Sequence, residues 1–373
     1  MKLRVALIFG GRSGEHEVSV VSARSVAREL DPERYVILPM AIDRAGRWAT
    51  AQVAREVLEK SGDRADQVLR FTGSLPLDPR LLNGSVDVVM PILHGPFGED
   101  GTIQGLCEVL TLPYVGCNVA ASAVTIDKVL TKRLLKEAGL PVTAFAPLAW
   151  SRWRKRGVSL VQELIKDLGL PLFVKPARLG SSVGISKVKS QDELPQALEG
   201  AFRYDDVVVV ERAVPAREIE VAVVGGDPPL VSVPGEVVPS HEFYDYADKY
   251  LDDACSLLAP APLDKGSVRL VQDLALRAFF ACGCDAMARV DFLLDRRTGE
   301  FFVNELNSIP GFTSISMYPR LLALSGLPYG QLLDRLVELA LARFRRGVEL
   351  TAAGLRPGSE GGCGSVDAPR DSQ

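Results

Sequence analysis

Short apolar runs alternate with glycine-containing turns and amphipathic helices through the first third of the chain. The three apolar runs are residues 3–9, 35–42 and 86–93. The order of strand, glycine turn, helix and strand predicts a parallel α/β unit. Ligands of such sheets bind beyond the carboxyl ends of the strands, so the turns at 10–17 and 94–101 are expected to face one cleft.

Glu15 and His94 are the candidate binding residues in these two turns. Glu15 is a poor neighbour for a pyrophosphate but a good partner for a substrate ammonium; the alternative is that it only complements a helix dipole. His94 could contact a bound carboxylate, and the alternative is a packed histidine with a structural role. The first turn lacks the complete glycine pattern of dinucleotide-binding units.

The middle of the chain has the features of a phosphate site. Residues 172–185 predict a strand, a Gly/Ser-rich loop and another strand, with Lys175 near the end of the first strand. The N–H groups of such a loop suit a triphosphate, although no Gly-Lys-Ser/Thr sequence of a P-loop is present. Lys128 lies in the first turn of a helix predicted over 127–138, where a cation opposes the helix dipole unless an anion binds there. A solvated lysine is the alternative.

The apolar run 207–210 predicts a strand that leads into Glu211, Val214 and Glu218. The edge of this strand could offer backbone hydrogen bonds to a planar base. Carboxylates nearby could then bind the amino group of the base and its sugar.

Two apolar runs flank Arg297-Thr298-Gly299, which predicts a hairpin with a three-residue loop and glycine in the left-handed position. The simplest register sets Asp291 opposite Glu305 and Arg289 opposite Asn307. Because side chains alternate between faces, all four share one face. The core residues expected on the other face are Val290, Phe292, Leu294 and Phe302.

Carboxylates placed opposite each other repel, and a sheet built only for stability would avoid this pairing. A hard divalent cation removes the conflict, since Asp, Glu and Asn oxygens suit Mg²⁺ together with substrate phosphates. The residues therefore predict a Mg²⁺–phosphate site beside an arginine. The alternative is an exposed polar end of a hairpin.

Other segments give structural expectations. Residues 243–250 are aromatic and charged, which indicates a functional loop or lid. The basic run 152–156 is predicted to be a solvated loop. Leu130, Leu134 and Leu135 mark the core side of the helix over 127–138. A closing helix of about five turns begins at Tyr329 and buries apolar residues at helical spacing, namely Leu333, Leu336, Val337, Ala340 and Phe344.

Composition narrows the function classes. The chain has 373 residues, too many for one ordinary core, and a net charge of −4 that gives no global basic field for nucleic acid. Six cysteines without a regular framework argue against a secreted disulfide scaffold and favour a reducing, cytoplasmic compartment. We expect no membrane-spanning segment, because no apolar run is long enough.

Six segments, in this order, resemble the D-alanine–D-alanine ligases, a family of ATP-grasp enzymes of peptidoglycan synthesis. The resemblance runs from the first strand to about Arg345. The segments are GGRSGEHEVS, HGPFGEDG, DKVLTK, FVKPARLGSSVGISK, EFYDYADKY and RVDFLL…NELNSIPGFTSISMYP.

The resemblance implies an α/β and α+β fold of three domains, with ATP held between two sheets. Residues 1–117 would form the N-terminal parallel α/β domain with the first D-alanine pocket. Residues 118–211 would form the central ATP-grasp domain, and 212–350 the C-terminal ATP-grasp domain with the metal site and the lid loop. Residues 351–373 are expected to be a disordered tail.

The resemblance also assigns roles in binding. Lys128, Lys175 and Lys249 would contact the phosphates of ATP, Glu211 and the backbone near Val214 would hold adenine, and Glu218 would hold the ribose. Asp291, Glu305 and Asn307 would bind two Mg²⁺, or Mn²⁺, in agreement with the argument from the hairpin.

Further roles concern the two molecules of D-alanine. Glu15 would pair with the ammonium of the first, with His94 nearby, and Ser181 and Tyr250 would join Glu15 in a hydrogen-bonded group that closes the lid loop. Ser316 and the backbone at Met317 would take the carboxylate of the second D-alanine. Arg289 and the Gly311 N–H would form an oxyanion hole.

The reaction implied is attack of the first D-alanine carboxylate on the γ-phosphate of ATP, followed by attack of the second amine on the acyl phosphate. The tyrosine at Tyr250 is typical of the dipeptide-forming enzymes. The close alternatives are D-alanine–D-lactate and D-alanine–D-serine ligases, and a dinucleotide-dependent oxidoreductase and an inactive nucleotide-binding regulator are distant ones. Family members are usually homodimers.

Overall fold

Three β-sheets follow one another along the chain, and a computed structural model describes residues 2–59, 85–238, 256–313 and 315–355. The first part consists of β1 (Leu3–Gly10), α1 (His16–Glu29), β2 (Tyr35–Ile42), α2 (Ala51–Glu59), β3 (Val88–Ile92) and α3 (Thr102–Val109). The sheet is parallel, and β1 lies between β2 and β3. The predicted parallel α/β unit is confirmed.

The turn after β1 depends on glycine. Gly10 has a φ of +91°, and a Cβ built there would lie 2.2 Å from the carbonyl oxygen of Ile42. The Gly10 N–H donates to Ser19 Oγ at 2.7 Å, and Ser19 donates in turn to the carbonyl oxygen of Ile92. These contacts fix the start of α1 against the ends of β1 and β3.

The second sheet is antiparallel, with strand order β4-β7-β5-β6. Its part of the chain consists of α4 (Val119–Ile126), α5 (Lys128–Glu137), β4 (Phe145–Ala149), α6 (Trp150–Arg156), α7 (Ser159–Leu168), β5 (Leu172–Pro176), β6 (Ser186–Val188), α8 (Leu194–Ala201) and β7 (Val207–Arg212). Apolar residues of α6, α7 and α8 cover one face of the sheet.

The basic run 152–156 lies in helix α6, so the predicted loop is wrong. Trp153 is buried, and its Nε1 donates to Glu199 Oε1 at 2.6 Å. The cations around it are exposed, as expected. Trp153 and the partly buried Trp150 pack this short helix on the sheet, which the charges alone do not indicate.

The third sheet has the order β11-β10-β8-β12-β13, with β9 beside β8. Its part of the chain consists of β8 (Ala216–Val224), β9 (Leu230–Val231), β10 (Gly235–Val238), β11 (Ser256–Leu258), α9 (Lys265–Ala281), β12 (Met287–Asp295), β13 (Phe301–Asn307), α10 (Met317–Leu324) and α11 (Tyr329–Leu355). One face of this sheet packs on α9 and on α4 and α5. The domain boundaries proposed from the sequence stay predictions.

The β12–β13 hairpin differs from its prediction in two places. Asp295 N–H donates to the Glu300 carbonyl oxygen, so the loop has four residues, one more than expected. Asn304 is an extra residue on β13, between the partners of Asp291 and Phe292, and this bulge restores the predicted register at the far end. Between loop and bulge the faces of β13 are exchanged: Phe302 is half-buried on the cavity face, and Phe301 and Val303 take the core positions.

The closing helix α11 packs on the first sheet as well as on α10. Its buried residues belong to the same hydrophobic core as residues of β1, β3 and α10. Leu333, Leu336, Val337 and Ala340 are buried as predicted, whereas Phe344 is half-buried. The helix has 27 residues and is longer than the five turns expected. Within the described residues, no helix is long and apolar enough to cross a membrane.

Gly10→Ala is expected to lower the stability of the protein by about 1–3 kcal/mol, the typical cost of a strained backbone residue. The reason is the positive φ together with the collision with Ile42. Thermal and urea unfolding measure the change. Gly105→Ala in α3 is the control, since nothing lies within 4 Å of its added Cβ. Equal stability of the two variants would contradict the prediction.

Candidate active site

A cavity of about 380 Å³ opens between the second and third sheets. Residues of both sheets, of the loop after β5 and of the first turn of α5 line it. Nine of the residues proposed from the sequence are among them, namely Lys128, Lys175, Ser181, Glu211, Val214, Glu218, Arg289, Asp291 and Glu305. Segments of the second and third sheets and of α5, which are far apart in the sequence, therefore meet around one space.

The far end of the hairpin forms one wall of this cavity. Asp291 is opposite Glu305, and Arg289 is opposite Asn307, as predicted. Arg289 donates to both oxygens of Asp291, from Nε to Oδ1 at 2.7 Å and from Nη2 to Oδ2 at 2.6 Å. Lys128 Nζ lies 3.8 Å from Glu305 Oε2. Two cations therefore offset the opposed carboxylates, which would otherwise repel.

Asn307 shows whether this donor set suits a divalent cation. Its Oδ1 is buried and accepts no hydrogen bond within the described part of the chain. A buried acceptor without a partner costs about 1–3 kcal/mol, and a bound cation would remove that cost. Together with Asp291 and Glu305, this amide oxygen completes a set of hard oxygen ligands. The residues therefore fit Mg²⁺ or Mn²⁺.

Glu211 is the centre of a buried charge network on the opposite wall. Lys175 Nζ pairs with its carboxylate, Lys132 Nζ lies 2.8 Å from Oε2, and Thr143 Oγ1 donates to Oε2 at 3.0 Å. Burial raises the pKa of Glu211, but the two lysines outweigh it and hold that pKa well below 4.5. Burial lowers the pKa of Lys175, and Glu211 more than reverses this effect. The pair is therefore ionised.

Lys132 was not among the sequence-predicted site residues, and the buried face of α5 was assigned incorrectly. Leu130 and Leu134 are exposed to about two fifths, whereas Lys128 and Lys132 are buried together with Leu135. The two lysines are four residues apart and therefore share a face of the helix. This spacing in DKVLTK was the signal for a second buried lysine.

Glu15 lies at the N-terminal cap of α1, and Ser181 donates a hydrogen bond to its carboxylate across 166 residues of sequence. Two glycines make room for the side chain, because a Cβ on Gly95 would lie 2.8 Å from Glu15 Oε2 and one on Gly180 3.0 Å. Ser181 has a positive φ of 50°, a strained conformation that is enriched at functional sites. The structure thus brings together the predicted Glu15–Ser181 pair.

His94 is buried below the first glycine turn. Its Nδ1 lies 2.9 Å from the carbonyl oxygen of Ile309, and its Nε2 lies 3.3 Å from Ser22 Oγ. Burial lowers the pKa of His94, but the hydrogen bond and charge of Glu99 raise it above 6.5 overall. Both ring nitrogens have protein partners, so the geometry favours a structural role, and contact with a substrate stays a prediction.

The segment before α10 holds the last group of proposed residues. Ser316 is the N-cap of this helix, and Met317 is its first residue, so their backbone is at the end that favours anions. The Thr313 N–H donates to Ser316 Oγ at 3.0 Å. A Cβ on Gly311 would lie 2.7 Å from Ser316 Oγ, so glycine permits this close approach.

Two predicted site residues lie outside the described part of the chain, and one carboxylate of the cavity was not predicted. Lys249, Tyr250 and residues 356–373 of the predicted tail lie outside the described residues, and residues 351–355 belong to α11. Glu220 lines the cavity and was not proposed from the sequence. It follows Glu218 by two positions on β8, and period-two alternation was the signal that the two carboxylates share a face.

Family models match most of the chain. The model described as D-ala D-ala ligase N-terminus matches residues 4–117, and the one described as D-ala D-ala ligase C-terminus matches residues 134–338. The chain belongs to the D-alanine–D-alanine ligase family. The ATP-grasp fold and the assignment to an ATP-dependent ligase are thereby confirmed.

Relatives within this family are similar over nearly the full length. The D-alanine–D-alanine ligase of Heliobacterium modesticaldum is 47% identical over 92% of this chain and 96% of its own. D-alanine–D-alanine ligase A of Bradyrhizobium diazoefficiens is 46% identical with the same coverage.

Two solved structures extend the similarity to the fold. The D-alanine–D-alanine ligase from Coxiella burnetii is 38% identical, with a TM-score of 0.80 over 94% of this chain and 97% of that one. The VanG D-Ala:D-Ser ligase from Enterococcus faecalis is 33% identical, with a TM-score of 0.77 over 91% of this chain and 100% of that one.

Membership of the D-alanine–D-alanine ligase family excludes the oxidoreductase alternative, and the shape of the N-terminal part agrees. The cavity beside Gly10 and Gly11 has a volume of about 200 Å³. Small-molecule sites typically measure roughly 300–1,000 Å³, and a dinucleotide needs more than the space found here.

Glu211→Gln is expected to destabilise the protein at neutral pH by about 3–5 kcal/mol, since it leaves two buried lysines without their counter-charge. The folded pKa of Glu211 is depressed, so its stabilisation is present above 4.5 and is lost as the pH falls toward the folded pKa. The difference in melting temperature between wild type and variant should therefore narrow below about pH 4.5. A constant difference from pH 7 to pH 3 would contradict this account.

Proposed function

We propose that the protein joins two molecules of D-alanine to D-alanyl-D-alanine for peptidoglycan synthesis, with ATP as the energy source and D-alanyl phosphate as the intermediate. One observation carries the proposal: Lys128 and Lys175 border the same cavity as the Asp291–Glu305 end of the hairpin. A triphosphate between lysines and carboxylate-held cations is the arrangement on which phosphoryl transfer depends.

Nucleotide binding uses the wall formed by β5, β7 and β8. The backbone at Val214 and the carboxylate of Glu211 would hold adenine, and Glu218 would hold the ribose. Lys128 and Lys175 would bind phosphate oxygens, with Lys249 as a third cation. The buried network around Glu211 supports this arrangement, because it holds Lys175 ionised and in a fixed position.

Asp291, Glu305 and Asn307 would hold two Mg²⁺ or Mn²⁺. When bound, the cations supply positive charge that offsets the charge on the transferring phosphoryl oxygens. The buried Oδ1 of Asn307, which accepts no hydrogen bond within the described residues, supports this part of the proposal.

The first step is attack by the carboxylate of the first D-alanine on the γ-phosphate, which releases ADP. Glu15 would hold the ammonium of this substrate, so that the carboxylate is directed toward the phosphate. Ser181 and Tyr250 would close the loop after β5 over the reacting groups. Closure excludes water, which would otherwise hydrolyse the acyl phosphate.

The second step is attack by the amine of the second D-alanine on the acyl carbon, which releases phosphate. Ser316 and the backbone N–H of Met317 would bind the carboxylate of this substrate at the start of α10. Arg289 and the Gly311 N–H would stabilise the oxyanion of the tetrahedral intermediate. His94 would support the first substrate from below.

A second candidate is ligation of D-serine as the acceptor. The similarity in fold to the VanG D-Ala:D-Ser ligase favours including it in the assay. D-lactate is the third acceptor to test. A cytoplasmic location and a homodimer complete the proposal, and both rest on the family.

Purified protein with ATP and Mg²⁺ is expected to release phosphate only when D-alanine is present, and mass spectrometry should identify D-alanyl-D-alanine as the product. L-alanine serves as the control. D-serine and D-lactate are then compared with D-alanine as acceptors at neutral pH. Preference for either one would replace the dipeptide assignment, and no D-alanine-dependent release would overturn the proposed reaction.

Arg289→Ala is expected to lower kcat about 10²- to 10³-fold, the usual effect of removing one oxyanion donor. The rate falls because the positive charge of the Arg289 guanidinium no longer stabilises the oxyanion of the intermediate. Steady-state phosphate release measures the loss. Arg277→Ala on the exposed face of α9 is the control, and an equal effect of the two changes would rule out the role proposed for Arg289.

A further inference from the structure

Arg289 lies between carboxylates from two different strands. Its Nε is 2.7 Å from Asp291 Oδ1 and 3.3 Å from Glu220 Oε1. Glu220 is on β8, directly opposite Asp291 on β12. The side chain of Glu220 is 7% exposed, so its charge is little screened by solvent.

Three carboxylates consequently form one row across adjacent strands, in the order Glu220, Asp291 and Glu305. Like charges directly opposite each other destabilise a sheet. Arg289 contacts the first two, and Lys128 approaches the third. Because the repulsion between these carboxylates destabilises the sheet, their position on a cavity wall indicates a functional role.

Arg289 and a divalent cation would compete for the same atoms. Both oxygens of Asp291 accept hydrogen bonds from Arg289. A cation bound to Asp291 would take at least one of these oxygens and would repel the guanidinium. An arginine that is to act on the oxyanion must nevertheless keep its position through the reaction.

Glu220 offers a second anchor in the right place. Because β12 lies between β8 and β13, Glu220 is on the side of Asp291 away from Glu305. It can therefore hold the guanidinium at Nε while Asp291 and Glu305 turn toward a cation. Partners of this kind, one step removed from the reacting groups, typically contribute 10- to 100-fold to activity or metal affinity.

We propose that Glu220 is a positioning residue that holds Arg289 in place when Asp291 binds a divalent cation. The inference rests on the function proposed above. It extends that function by assigning a role to a residue that neither binds ATP nor touches the reacting atoms.

A double-mutant cycle tests whether Glu220 acts through Arg289. Glu220→Ala is expected to lower kcat about 10- to 100-fold, with KM for ATP changed far less. In the Arg289→Ala background, the same change should cause little further loss. Independent effects, with losses that multiply in the double variant, would overturn the proposal. Glu220→Gln keeps the volume and guards against a folding defect; its loss should be smaller than that of Glu220→Ala.

Binding of Mn²⁺ in the presence of ADP gives a readout that needs no turnover. Without Glu220, Arg289 stays on Asp291, so Mn²⁺ affinity should fall about 10-fold. In the Arg289→Ala background, Glu220→Ala should change the affinity by less than about threefold, since the competing arginine is gone. Equal weakening in both backgrounds would mean that Glu220 ligates the ion itself, and the positioning role would be rejected.

Glu236→Ala is the matched control. Glu236 is as buried as Glu220, lies on the neighbouring strand β10 and makes a bidentate pair with Arg217 at 2.8 and 2.7 Å. It is opposite Ile219 and therefore on the other face of the sheet. Any loss caused by Glu236→Ala should multiply with that of Arg289→Ala.

The proposed function and the positioning role of Glu220 can be disproved separately. Absence of D-alanine-dependent phosphate release from wild-type protein would remove the proposed function, whereas the Mn²⁺ cycle would still report on Glu220. Normal release with independent effects of Glu220 and Arg289 would remove only the positioning role.

Discussion

Opposed negative charges on one face of the third sheet are the constraint on which the cavity depends. Strands β8, β12 and β13 cannot move apart to relieve the repulsion, since their other face is packed on α9, α4 and α5. The charges must instead be offset by cations from neighbouring elements. Lys128 comes from α5, and Lys175 reaches from β5 to within 3.5 Å of Asn304 on β13. Contacts of these lysines with β13 therefore offset the repulsion and also join the second sheet to the third.

Helix α5 shows how one element serves both sheets. Its Leu135 belongs to the core of the third sheet, whereas Lys132 pairs with Glu211 on the second. At the N-terminal end, the Lys128 N–H donates to the Ala177 carbonyl oxygen at 2.9 Å, and Lys128 Nζ donates to the Leu179 carbonyl oxygen. Two hydrogen bonds from Lys128 therefore join the helix to the loop that contains Ser181.

The sequence predicts the pairing at the polar end of the hairpin correctly, although the predicted loop is one residue too short. An extra loop residue and a bulge at Asn304 cancel, so Asp291 and Glu305 are opposite each other despite the incorrect turn. The alternation of side chains along a strand reveals which residues share a face only where no bulge intervenes. Phe302 lies beyond the bulge and is therefore on the opposite face from the one predicted. The bulge also brings Asn304 within reach of Lys175.

The buried face of α5 exposes a different limit. Apolar residues were assigned to the core because hydrophobicity is the only burial signal that one sequence offers. Lys132 is 1% exposed because its charge is met by Glu211, which lies 79 positions further along the chain. The four-residue spacing places Lys132 on the same helix face as Lys128, but the partner that allows its burial follows only from the tertiary fold. In the same way, alternation places Glu220 on the face of Glu218, but its contact with Arg289 follows from the pairing of β8 with β12.

The N-terminal part also contacts the segment that contains Gly311. His94 Nδ1 meets the carbonyl oxygen of Ile309, and Ser22 Oγ accepts from the Phe312 N–H at 3.3 Å. These contacts hold the segment that contains Gly311, the proposed backbone donor to the oxyanion, against α1 and the turn that begins at His94. In the proposed mechanism, one set of buried hydrogen bonds would therefore position residues for both the first substrate and the second step. Because catalysis of this kind depends on donors held in place before the reaction, the contacts of Ser22 and His94 would contribute to the chemistry proposed at the third sheet.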